Sequence, residues 1–224
     1  MTHTINERVG RLRSWMKENG FTAFVFPSSD PHNSEYVADH WKSREWISGF
    51  SGSAGTAVVT LEHAVLWTDS RYFIAAEKEL NGTGFQLMKL RVEGTPSVSE
   101  WLASELSTYE KAVVGLDGNV NSFAEVAAME QELATKGNIT VRTDADPMAE
   151  LWTDRPVIPD NMVSLHPLEY SGESTSDRIA RLRSMMKERG IDYHFIGSLD
   201  DIAYVLNIRA NDVQCNPVVI SYLL

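Results

Sequence analysis

Between Ile5 and Asn19 the apolar residues Ile5, Val9, Leu12, Trp15 and Met16 recur at steps of three and four, which places them on one face of a helix, and Gly20 supplies its stop. Thr22 to Phe26 is a short apolar run ended by Pro27 and a Ser-Ser-Asp-Pro cluster, the signature of a buried strand. Thr56–Thr60 and Ala64–Thr68 read as two strands joined by Leu61, Glu62 and His63, a hairpin. Helices and strands then alternate: helical spacing over Tyr72–Leu80, a strand over Phe85–Leu90, a helix over Val98–Leu106, a strand over Ala112–Leu116, a helix over Phe123–Lys136 closed by Gly137, and a strand over Ile139–Arg142. The alternation predicts an α/β fold, a mixed β-sheet flanked by helices, with the hairpin as its antiparallel part.

From Asp144 to Ser176 the hydrophobic period lapses, and Pro147, Pro156, Pro159 and Pro167 account for half of the eight prolines; a surface linker is expected there. The first pattern then returns. Setting Arg8 on Arg178 and sliding without gaps to Asp30 on Asp200 gives 11 identities in 23 positions, among them Arg11-Leu12-Arg13-Ser14 on Arg181-Leu182-Arg183-Ser184 and Gly20 on Gly190. This is an internal repeat. The expected organisation is a first domain over 1–143, a Pro-rich linker over 144–175, and the start of a second, similar α/β domain over 176–224. That second copy carries a helix, a strand at Tyr193–Ile196, a short helix near Asp200–Leu206 and a strand at Val218–Tyr222. A sheet cut short in this way predicts an unpaired edge and a partly uncovered apolar face.

Composition adds exclusions. With 43% hydrophobic and 23% charged residues the chain can bury a core, and a formal charge of -11 argues against nucleic acid or an anionic membrane as partner. Met1 to Arg13 is polar where a secretory signal would be apolar, and no apolar run approaches the ~20 residues that span a bilayer, so a cytoplasmic protein is expected. The single cysteine, Cys215, can form no internal disulfide; beside Pro217 and Val218 it reads as a buried thiol.

Candidate chemistry is sparse. The six histidines are scattered, and neither HExxH nor CxxC spacing occurs. His32 and Glu35 share a polar loop with Asp30, Asp39 and His40, which could gather ligands or be ordinary loop. The run from Gly49 to Thr56 invites a phosphate-loop reading, but a strand rather than a helix follows it; a tight bend needing small residues fits better. Ser51 and Ser53 lie outside a G-x-S-x-G elbow. Trp67-Thr68-Asp69-Ser70-Arg71-Tyr72 sits where a strand ends and a helix begins. Asp69 there can cap the helix, while Arg71 can either grip a carboxylate or peptide carbonyl or form a salt bridge with an acid such as Asp69.

Ile47-Ser48-Gly49-Phe50-Ser51-Gly52-Ser53-Ala54-Gly55-Thr56-Ala57 and Leu66-Trp67-Thr68-Asp69-Ser70-Arg71-Tyr72-Phe73 resemble the N-terminal, creatinase/prolidase-like domain of the Xaa-Pro aminopeptidase (aminopeptidase P) family. Leu151-Trp152-Thr153-Asp154-Arg155-Pro156 resembles that family's interdomain linker, and Ser198 to Asn216 the opening of its second domain. The resemblance implies a parent metallopeptidase that releases the N-terminal residue from peptides with proline second. Its two divalent metals, usually manganese, would be held by two Asp, one His and two Glu of a C-terminal catalytic domain. None of those ligands maps onto this chain, so no catalytic residue, metal site or cofactor is assigned to it, and it should be inactive alone. Relatives imply homo-oligomer (dimer) formation and walling of the active-site entrance. The residues expected nearest a substrate are Arg71, then Tyr72 and Trp67, with His32 and His40 on the rim. A stand-alone binding or regulatory protein of the same fold is the alternative. A self-sufficient hydrolase built on His32 and His40 would cleave peptides unaided, which is not expected.

Overall fold

The computed structural model of the protein describes residues 3–224, so the first two residues of the expected first domain lie outside the described residues. The chain divides into two compact units: one comprises the chain up to Asn33 together with Trp41–Pro156, the other Ser34–His40 with Val157–Leu224.

The first unit is built on a six-stranded mixed sheet. Helix α1 (Ile5–Asn19) opens with a capping box, in which Thr4 accepts from the Glu7 amide and the Glu7 carboxylate accepts from the Thr4 amide. It closes on Gly20, whose φ of 74° belongs to the left-handed region that glycine enters without penalty. Strand β1 (Ala23–Pro27), helix α2 (Ser43–Ser48), the hairpin strands β2 (Thr56–Thr60) and β3 (Ala64–Thr68), α3 (Phe73–Glu79), β4 (Gln86–Lys89), α4 (Val98–Glu105), β5 (Ala112–Leu116), α5 (Phe123–Ala134), β6 (Ile139–Arg142) and the single turn α6 (Met148–Leu151) follow. The strand order is β4-β3-β2-β1-β5-β6. β2 runs antiparallel to both β1 and β3, and the remaining neighbours are parallel.

Alternation along the strands explains two cores. Phe24, Phe26, Ala57, Val59 and Leu66 face one side of the sheet and pack with Val9, Leu12 and Met16 of α1, Trp46 and Ile47 of α2 and Ala76 of α3. Ala23, Val25, Val58, Val65, Trp67 and Val114 face the other side, covered by Leu102, Ala103 and Leu106 and by Leu133 of α5. Each large side chain withdrawn from water in this way contributes about 1.5–3 kcal/mol. Of the segment expected to run over the surface, Met148 and Leu151 are buried in the first core, Trp152 stacks on Trp46 at 5.6 Å, and Arg155 pairs with Asp146 at 2.6 Å. The turn of α6 gives this stretch an apolar face that a composition count over many prolines conceals.

In the second unit, β7 (Ser164–Leu165), α7 (Leu168–Ser171), α8 (Thr175–Glu188), α9 (Leu199–Leu206) and β8 (Ile208–Arg209) are assigned, and β7 pairs antiparallel with β8. Both helices of the repeat form where expected. The strands expected at Tyr193–Ile196 and Val218–Tyr222 do not: a single bridge joins Ile196 to Leu223. A strand is stabilised by the ladder beside it, and in the first unit β1 is held from both sides. Tyr193, Phe195, Tyr222 and Leu224 are accordingly exposed. Cys215 is a further correction: it is exposed, in a turn at φ 64° between the buried Val213 and Val218, whose side chains take the interior positions.

Candidate functional site

Register places the segments singled out in the sequence at one end of the first unit's sheet. Pro27, which ends β1, lies opposite Thr56, which begins β2, and Thr56 lies opposite Trp67 near the end of β3. The loops after β1 and β3 and the glycine-rich loop before β2 therefore emerge side by side, at the carboxyl ends of the parallel strands where open α/β sheets present their ligand-binding loops.

The glycine-rich loop is fixed from below by Arg44 of α2, a residue 6% exposed. Its Nε donates to Ser28 Oγ at 3.0 Å, Nη1 to the Phe50 carbonyl at 2.5 Å and Nη2 to the Gly52 carbonyl, while the guanidinium lies 4.9 Å from the Phe50 ring centre. Burial lowers its pKa to about 10, an effect that the charges of Glu45 and Glu79 oppose. From above, Glu79 accepts from the Ser51 amide at 2.8 Å and from Ser51 Oγ at 2.7 Å, and Thr68 Oγ1 donates to the Ala54 carbonyl at 2.6 Å. Ser53 Oγ lies 2.7 Å from Tyr72 Oη. A Cβ on Gly52 would come within 2.3 Å of Phe50 Cζ and 2.8 Å of Tyr72 Cδ1, and one on Gly55 within 2.8 Å of the Trp67 carbonyl. The small residues thus serve close backbone approach, and the loop leads into a strand with no helix N-terminus to receive a phosphate.

Asp69 and Arg71 form the salt bridge foreseen, but Asp69 does not cap α3: that helix begins after Tyr72 with no side-chain cap, and the Asp69 carboxylate closes a turn ahead of it. Asp69 Oδ1 accepts from the Arg71 amide at 3.0 Å and from Nε at 2.9 Å, and Oδ2 accepts from Nη2 at 2.8 Å. Those bonds hold the Asp69 carboxyl below its usual range. The Arg71 side chain remains 65% exposed and lies 5.2 Å from the Tyr72 ring centre; Tyr72 in turn meets Phe50 edge to face at 6.0 Å. Arg71, Tyr72, Ser51 and Ser53 thus share one polar rim.

Trp67 does not join them. Its ring is 1% exposed in the opposite core, against Trp101, with Nε1 donating to the Pro96 carbonyl at 2.9 Å. Strand alternation turns it away from the end of the sheet. His32 follows β1, its amide donating to Asp30 Oδ1 at 2.9 Å, whereas His40 lies on the 3-10 turn Asp39–Trp41 and falls in the second unit. Arg44 escaped the sequence reading, because a charged residue in a six-residue helix gives no periodic sign of burial; Gly49 after Trp46-Ile47 was the available cue to that helix.

Chemically the rim offers hydroxyls, a carboxylate and an exposed guanidinium, groups that recognise. The Ser51 hydroxyl donates to Glu79 and the Ser53 hydroxyl bonds to Tyr72, so neither is paired with a base of the kind that activates a serine nucleophile. Among the described residues no group of three or more His, Cys, Asp or Glu side chains gathers to hold a metal ion, so a metal pair does not fit here. Nor is any described helix long and apolar enough to cross a membrane.

Two family profiles match the chain, both describing the creatinase/prolidase N-terminal domain, one over residues 8–150 and the other over 154–224. Xaa-Pro aminopeptidase 1 of Dictyostelium discoideum is 37% identical over 229 residues, covering 98% of this chain and 36% of its own length. Aminopeptidase P2 of Arabidopsis thaliana is 37% identical over 224 residues, covering 98% and 31% respectively. The crystal structure of an X-prolyl aminopeptidase from Caenorhabditis elegans, described as a cytosolic enzyme with a di-nuclear active site, superposes with a TM-score of 0.88 at 33% identity, over 98% of this chain and 37% of that one. The chain therefore spans about a third of the length of the curated relatives it matches.

Proposed function

Because the chain belongs to the creatinase/prolidase N-terminal domain family, we propose that it is the non-catalytic N-terminal portion of a cytoplasmic Xaa-Pro aminopeptidase. In this reading the parent removes the first residue from peptides with proline second, using two divalent metals, manganese by preference, bound outside these residues. The chain contributes to homodimer formation and narrows access to the active site, with Arg71 and Tyr72 as the peptide-facing rim and His32 on the loop after β1. The observation that carries the reading is that nearly the whole chain aligns, in sequence and in backbone, with one third of such peptidases, while its described residues gather no metal ligands.

The first test is the reading frame: continuation beyond codon 224 into a domain with two Asp, one His and two Glu as ligands supports the proposal, and a natural stop codon removes it in favour of a stand-alone binding protein. The second is kinetic. In the parent, Arg71→Ala raises KM for an Xaa-Pro tripeptide by about fivefold, the loss of one exposed charged hydrogen bond of ~1 kcal/mol; unchanged kinetics take Arg71 off the rim.

A further inference from the structure

The rim of Arg71 and Tyr72 is exposed, and an exposed pair of side chains recognises a peptide well only when something rigid holds it. Tyr72 has two supports, the Phe50 ring at 6.0 Å and the Ser53 hydroxyl at 2.7 Å, and both belong to the glycine-rich loop. That loop is in turn held by Arg44, which spreads one hydrogen bond each onto the Phe50 carbonyl, the Gly52 carbonyl and Ser28 Oγ.

None of those acceptors is a carboxylate. Burying a guanidinium is costly, and a core of this kind gains more from an apolar side chain unless the bonds made serve a purpose. Here all three go to loop atoms at the end of the sheet: two carbonyls flanking Ser51, and the hydroxyl that itself donates to the Gly55 carbonyl at 2.9 Å. A planar fork with three donor nitrogens fits that set, whereas the single ammonium of lysine cannot reach the three acceptors at once.

We infer that Arg44 is the positioning residue of the rim: by fixing the carbonyls of Phe50 and Gly52 it sets the Phe50 ring and Ser53, these set Tyr72, and Tyr72 supports Arg71. Arg44 touches no substrate in this scheme. The inference rests on the reading of Arg71 and Tyr72 as peptide-facing, and its test separates the two.

The variants are Arg44→Lys, which keeps a cation, and Arg44→Met, which removes it and serves as a check on folding. In the 224-residue chain, Arg44→Lys accelerates hydrogen exchange of the Ser51 amide, which donates to Glu79, by about tenfold, leaves the amides of β1 and β5 unchanged, and shifts the Tyr72 ring resonances. In the parent it raises KM for an Xaa-Pro tripeptide and leaves kcat in place, in the direction of Arg71→Ala. A Ser51 amide and Tyr72 signals that match the wild type in Arg44→Lys overturn the inference. So does equal acceleration in loop and sheet, which marks a contribution to global stability alone. If Arg71→Ala moves KM and Arg44→Lys does not, the positioning role falls and the rim reading stands. If Arg71→Ala moves nothing, the rim reading falls whatever the exchange shows.

Discussion

The centre of the first unit's sheet is packed tightly enough that one added methyl group should be measurable. Gly115 of β5 lies in register with Phe24 of β1, and a Cβ there would sit 2.4 and 2.5 Å from two Phe24 ring atoms and 2.9 Å from Phe21. Carbon atoms rest about 3.5–4.0 Å apart, so in Gly115→Ala the Phe24 ring must retreat by roughly 1 Å. It has nowhere to go: the ring is fully buried, with Phe26 at 5.0 Å, Phe21 at 5.6 Å and Trp15 at 6.1 Å between centroids. Overpacking costs about 1–3 kcal/mol, and the reduced freedom of the unfolded chain returns about 0.5–1 kcal/mol, leaving a net loss of about 1 kcal/mol. With a urea slope of about 2 kcal/mol/M the midpoint falls by about 0.5 M. The six tryptophans, Trp15, Trp41, Trp46, Trp67, Trp101 and Trp152, all belong to the first unit, so their fluorescence follows its unfolding alone. In the double variant Gly115→Ala/Phe24→Leu the second change should recover at least half of the loss, although Phe24→Leu by itself destabilises. A midpoint for Gly115→Ala equal to the wild type, or costs that simply add in the double variant, would refute the clash.

Burial, with Asp146 nearby, raises the carboxyl of Asp117 at the end of β5, while the Asn119 amide and the charge of Arg155 partly offset this. A carboxyl whose folded pKa is raised contributes stability that is complete below its unfolded value and is lost as pH climbs through the folded one. Asp117→Asn, which keeps an acceptor for the Asn119 amide, is therefore more stable than wild type at pH 7, and the gap closes toward pH 4 in urea titrations; a variant less stable at pH 7 contradicts the assignment. In the second unit, exposed Tyr193, Phe195, Tyr222 and Leu224 predict binding of a hydrophobic dye, or self-association in light scattering, that Phe195→Ser/Tyr222→Ser diminishes. A dye-free monomer before mutation removes that expectation.

The strands and long helices of the first unit were legible because each repeats one period over enough residues to show it, and because both faces of the sheet are covered. What was illegible is short or depends on a partner. Helix α2 has six residues and α6 four, fewer than two turns, so no period can declare them. Arg44 illustrates the limit at the site: residue type places an arginine outside, and only the fold shows two carbonyls and a hydroxyl waiting for it inside. Trp67 illustrates the reverse. Its neighbours Thr68 and Asp69 lie at the strand end, but a side chain one position away on an alternating strand points into the core. At Tyr193–Ile196 the sequence preference for a strand is present, and the ladder that would realise it is reduced to one bridge.

The repeat carries an argument about where function sits. In the first unit Arg8 of α1 lies 4.7 Å from the Trp46 ring centre and donates to the Trp46 carbonyl at 2.6 Å. In the second, Arg178, its partner in the repeat, lies 3.9 Å from the Tyr204 ring centre and donates to the Tyr204 carbonyl. Three residues after each aromatic the helix ends in a left-handed cap, Gly49 at φ 76° and Asn207 at φ 51°. The same clamp, a cation stacked on a ring and bonded to that ring's own backbone, ties first helix to second helix in both copies. The separation between clamp residues is 38 positions in the first copy and 26 in the second, a difference of 12. Those extra residues fall between the end of β1 and α2, the stretch that holds His32, Glu35 and His40. The second copy makes the clamp and both helices without them, so the scaffold does not require this loop. Residues dispensable to a scaffold and placed where its parallel strands end have binding as their physical rationale. Shortening the His32–His40 loop should therefore leave the first unit's tryptophan-monitored midpoint near wild type while altering peptide KM in the parent. A collapse of stability on shortening would show that the loop is scaffold after all.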